Sequence, residues 1–129
     1  MRSGTELSVL VAVYGTLKQG EANYERFLSG HEPVYRGAVP APYLMYDNGS
    51  YPMLVPADET HAIFVEIYDV DEATLGSLDA LEEPYDYRRE TLHVGELGRD
   101  VAIYVHADPP PPGFTPADSG EWKSRRGFP

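Results

Sequence analysis

Residues 9–14 (V-L-V-A-V-Y) are apolar without alternation, the pattern of a strand covered on both faces. The run ends at Gly15, and T-L-K-Q-G follows. A second strand is predicted over residues 61–70 (H-A-I-F-V-E-I-Y-D-V). Ile63, Val65 and Ile67 share one of its faces; Phe64, Glu66 and Tyr68 share the other. Glu66 is expected to face water, with a pocket position as the less common alternative. Tyr24, Phe27 and Leu28 stand at i, i+3 and i+4 and predict a short helix over residues 21–28, stopped by Gly30. Residues 33–39 and 43–46 read as short strands cut by Pro40 and Pro42, suited to a sheet edge. Asp47-Asn48-Gly49-Ser50 predicts a tight hairpin into residues 51–55, and residues 56–59 predict another turn.

The clearest helix is expected over residues 69–83, started by Asp69 with Glu72 or by Asp71 alone, and ended by Pro84. Leu75, Leu78 and Leu81 form its apolar stripe. At about 100° per residue, Glu82 lies about 20° from Leu75 and about 40° from Leu78, inside that stripe, whereas Glu83 turns about 100° further toward solvent. Residues 85–94 and 99–107 predict two more strands, joined by a turn at 95–98. Prolines at 109–112 then stiffen the chain. We therefore expect one domain over 1–108 and a Pro-rich arm and tail over 109–129, with Trp122 available to dock the tail back.

Composition narrows the chemistry. The net charge of -11 argues against a nucleic-acid partner, whose phosphates demand a basic face. With no cysteine there is no thiolate nucleophile and no zinc–sulfur site. No stretch approaches a membrane span and no signal peptide is recognisable, so a cytoplasmic protein is expected. The four histidines are scattered without ligand-like spacing, so no metal and no cofactor are expected. Ten tyrosines against four phenylalanines suit either a polar pocket or the rim of a β-rich core.

Two places remain for chemistry. Gly15 can adopt backbone angles closed to other residues, so the amides of Gly15, Thr16 and Leu17 can converge into an anion site; an ordinary turn is the simpler reading. Glu82, on an apolar face, either acquires a raised pKa or finds buried donors, unless the helix frays and solvates it. Either buried outcome makes it a candidate general base. A base plus amide donors suffices for cyclisation of a γ-glutamyl group, whose own α-amine is the nucleophile.

These pieces resemble the γ-glutamylcyclotransferase-like family, which includes γ-glutamylamine cyclotransferases and AIG2-type proteins. The likeness rests on V-Y-G-T-L-K at 13–18, Y-P-M-L at 51–54, V-E-I-Y-D-V-D-E-A-T-L-G-S-L-D-A-L-E at 65–82, Y-D-Y-R-R at 85–89 and V-A-I-Y-V at 101–105. It implies an α+β fold, a small mixed β-barrel with flanking helices and a pocket at one mouth. It further implies a γ-glutamyl head held by Tyr14, Gly15, Thr16 and Leu17, and Glu82 as catalytic acid and base. Tyr87 would line the pocket and Arg89 would be a structural ion-pair partner. The implied reaction releases 5-oxoproline from a γ-glutamyl amine or peptide; the alternative is a non-catalytic module binding a small carboxylate or γ-glutamyl group. Val65 stands where relatives commonly carry Gly, which is expected to narrow the pocket.

Overall fold

The computed structural model describes residues 8–21, 23–106, 110–117 and 119–122. In chain order the elements are β1 (Ser8–Val13), α1 (Tyr24–Phe27), β2 (Tyr35–Asp47), β3 (Pro52–Asp71), α2 (Glu72–Glu82), a 3-10 turn (Glu83–Tyr85), β4 (Tyr87–Val94), β5 (Arg99–His106) and β6 (Thr115–Pro116). The strands form one sheet ordered β4-β5-β1-β3-β2-β6. Only the β1–β5 pair in it is parallel among the described strands.

The unalternating run becomes β1 because both of its faces are covered. Leu10, Ala12 and Tyr14 join Val39, Val65, Ile67 and Ile103 on the concave side. Val11 and Val13 meet Leu28, Leu75 and Leu78 of the helical layer on the convex side. The sheet curls strongly: the Tyr43 hydroxyl of β2 donates to Glu90 of β4 at 2.8 Å, although these strands are not ladder neighbours. A curled six-stranded half-barrel with few helices is the α+β architecture that the family resemblance implied.

Several local readings change. The two short strands at 33–46 are one strand that runs through both prolines, with a bulge between Ala41 and Tyr43. Pro40 and Pro42 are tolerated because, among the described residues, β6 pairs only with Tyr46 and Asp47 and no strand lines the outer side of β2 at the prolines. The turn expected at 56–59 is instead extended chain within β3, where Pro56 lies opposite Tyr43 beside the bulge. Glu66 does not face water: it is 1% exposed. Its carboxylate accepts from the Gln19 amide at 2.9 Å, the Tyr68 hydroxyl at 2.7 Å and Arg36 Nε at 3.2 Å. Val65 is buried in the concave core and does not border the cavity described below.

Helix α2 is capped by Asp71, whose side chain accepts from the Thr74 amide at 2.8 Å. Among the described residues no helix is long and apolar enough to cross a membrane. Pro109 and residues 123–129 lie outside the described residues. Residues 110–117 and 119–122 pack against the sheet: the Ala117 amide donates to Met45 O and the Phe64 amide to Gly120 O, each at 2.8 Å. Gly120 is held at φ +73, and a Cβ there would sit 2.0 Å from the Ala62 carbonyl oxygen. Trp122 is buried in the concave core, and its carbonyl accepts from Lys18 Nζ.

Candidate active site

Where β1 ends, the end of α2 meets the start of β3 around a cavity of about 130 Å³. Its lining includes Tyr14, Gly15, Thr16, Leu17, Glu82 and Tyr87, so every site residue expected from the sequence borders one space. The two halves are 65 positions apart in the chain (82 − 17), and the curl of the sheet is what joins them.

The loop after β1 is a turn, closed by the Lys18 amide donating to Gly15 O at 3.0 Å. Asn23 clamps its middle: its amide donates to Thr16 O at 2.7 Å and its Nδ2 to Thr16 Oγ1 at 2.9 Å. Glu66 holds the far end through the Gln19 amide. Among the described residues, nothing accepts from the amides of Gly15, Thr16 or Leu17. Unpaired amides on a braced loop suit an anionic oxygen. Gly15 serves differently from the sequence reading. It is not among the residues with positive φ; a Cβ there would stand 2.7 Å from Cδ and Cγ of Pro52. Glycine lets β3 approach the loop, and that close approach narrows the cavity wall.

Glu82 ends the helix with its carboxyl turned to the cavity rather than to bulk water. Burial pushes its pKa from 4.5 up to about 7. The nearby tyrosines do not relieve it, because their protons are already placed. Tyr14 donates to Tyr104 O at 2.6 Å, Tyr104 to Asp79 Oδ1 at 2.6 Å and Tyr87 to Pro52 O at 2.5 Å. Burial raises the pKa of all three hydroxyls, and the Glu82 carboxylate raises each further. They stay neutral and line one cavity with Glu82. Arg89 is a partner of Asp79 at 3.6 Å, away from the cavity lining.

The sequence reading did not single out Asn23, Tyr51, Pro52, Tyr85 or Tyr104 as site residues, yet all border the cavity. The signal for Tyr51 and Pro52 was present in Y-P-M-L; for Asn23 and Tyr85 no local pattern distinguishes them from turn residues.

A family model described as "Gamma-glutamyl cyclotransferase, AIG2-like" matches residues 11–124. The chain belongs to that family. A Vibrio cholerae relative is 37% identical over 117 residues, spanning 90% of this chain and 96% of its own. A bovine gamma-glutamylaminecyclotransferase is 34% identical over 113 residues, spanning 78% of this chain and 67% of its own. The crystal structure of a mouse AIG2-like protein superposes with a TM-score of 0.61 at 29% identity, covering 82% of each chain. These names support gamma-glutamylcyclotransferase activity in general terms and suggest a small γ-glutamyl substrate.

Proposed function

We propose that the cavity cyclises a γ-glutamyl amine or peptide, releasing 5-oxoproline and the free amine, with Glu82 as general base and then general acid. The observation that carries this reading is one carboxyl of pKa about 7 sharing a cavity with loop amides that have no acceptor among the described residues. The space fits the substrate's acyl part: a void of about 130 Å³ has room for on the order of ten non-hydrogen atoms, and a γ-glutamyl group has roughly nine.

In this reading the amides of Gly15, Thr16 and Leu17 hold the substrate's α-carboxylate, which carries a full charge. The neutral α-amine attacks the γ-carbonyl carbon and a C–N bond forms. The attacking nitrogen loses a proton to the Glu82 carboxylate. The protonated Glu82 then delivers that proton to the departing nitrogen as the original amide bond breaks. No water is consumed. Ring closure within a held substrate is favourable because amine and carbonyl are already neighbours. A carboxyl with pKa near 7 works in both directions at neutral pH, whereas an ordinary glutamic acid is a weak base and rarely protonated there.

The test is 5-oxoproline release from a panel of γ-glutamyl amines and dipeptides. Glu82→Gln should lower kcat by about 10²–10⁴ while keeping the fold. For the parent protein, kcat/KM should climb with pH through an inflection near the Glu82 value of about 7. Equal turnover by Glu82→Gln would remove Glu82 from the mechanism.

A further inference from the structure

The cavity has a closed end and an open one. Ala12, Val13 and Tyr104 wall the closed end and are 1%, 3% and 5% exposed, whereas Tyr85 borders the same space and is 52% exposed. Tyr85 sits on the 3-10 turn that follows α2. Its ring meets that of Tyr51 edge to face, with centroids 5.7 Å apart and planes at 63°. The two rings therefore make an open aromatic corner at the mouth. Behind Tyr51, on the segment after the prolines, Phe114 packs edge-on with centroids 5.5 Å apart and planes at 67°. Strand β6 pins that segment to β2 through Thr115 and Pro116. The C-terminal chain thus reaches the cavity by bracing one wall of its mouth.

Resting on the cyclotransferase reading above, we propose that Tyr51 and Tyr85, braced by Phe114, form the subsite for the departing amine and select an uncharged arylalkyl amine. With the γ-glutamyl head against the loop amides and Glu82, the amine substituent must leave toward the open end, where these rings stand. A corner of two rings offers one face and one edge, and a third ring fills it edge to face at the spacing aromatic pairs favour. The competing occupant is a cation, because rings also attract ammonium groups and the exposed Glu83 and Asp86 flank Tyr85. Phe114 is a positioning residue, acting through Tyr51. Tyr51 and Tyr85 touch the substrate.

The experiment compares 5-oxoproline release from three γ-glutamyl amides: those of phenethylamine, methylamine and 1,5-diaminopentane. The full chain should prefer the phenethylamide over the methylamide by about 3–10-fold in kcat/KM, the scale of one or two aromatic contacts. The preference should lie in KM, because the ring contact is equally present in ground and transition states. Tyr85→Ala and Phe114→Ala should each shrink the phenethylamide-to-methylamide ratio toward unity, and Phe114→Tyr should keep it. Product from the methylamide with no aryl preference, a stronger preference for the diamine, or a ratio unmoved by Tyr85→Ala would each overturn the aromatic subsite. Absence of product from all three amides and from the wider panel would overturn the cyclotransferase reading itself.

Discussion

Glu82→Gln is expected to stabilise the protein in alkaline solution while lowering its kcat by about 10²–10⁴. Burial lifts the carboxyl from 4.5 to about 7, so the folded chain holds this proton more tightly than the unfolded chain. Between those values folding takes up a proton, and stability contributed by this group falls as pH rises; the loss is complete above about 7. At 1.36 kcal/mol per pKa unit, about 2.5 units correspond to roughly 3 kcal/mol of destabilisation at pH 8.5. Gln is close in shape to the protonated acid but never ionises. The stability difference between variant and parent should therefore grow by about 2–3 kcal/mol from pH 5 to pH 8.5. The assay is urea unfolding of both proteins across that range. With m near 1–3 kcal/mol/M, the midpoint gap should widen by roughly 1–2 M. The change in the gap matters, not its size at any one pH, because other carboxylates titrate equally in both proteins. A gap that stays constant from pH 5 to pH 8.5 would refute the desolvation argument and return Glu82 to water.

Two further outcomes follow from the loop. Gly15→Ala places a methyl group 2.7 Å from the Pro52 ring, so loop or strand must shift; KM for a γ-glutamyl amide should rise about tenfold or more, an effect of a displacement near 1 Å, and an unchanged KM would show that the approach to Pro52 is unimportant. Glu66→Leu removes the acceptor shared by Gln19, Arg36 and Tyr68; Arg36 is more than half exposed and is solvated, so the loss in urea unfolding should be about 1–3 kcal/mol for each of the two remaining donors left unpaired. Glu66→Gln, which keeps a carbonyl acceptor, should cost clearly less, and equal losses would assign the stabilisation to the Arg36 ion pair instead.

Much of the site was readable because two of its parts obey local rules. An apolar run broken by Gly marks a covered strand and its exit loop whatever the surroundings. The helical period alone puts Glu82 among leucines, and the structure keeps it there, beside Leu81 at the cavity. Residues whose roles depend on distant partners were not readable. Glu66 alternates like a solvent-facing residue, and becomes buried because the Gln19 amide, Arg36 and Tyr68 close over it.

By itself, then, the sequence determined the central strand, the capped helix and the family, and marked an acid and a glycine loop as two separate candidates; that they share one cavity was decided by the curl of the sheet. What the sequence determined depends on periods and short motifs, which are properties of neighbouring residues. Tertiary structure alone decided that β2 and β3 run unbroken past their prolines, that Glu66 anchors the loop, that Gly15 makes room for Pro52 and that Phe114 braces the cavity mouth. Each is a contact between residues far apart in the chain. Such contacts exist only once the sheet has curled, and no local pattern records them.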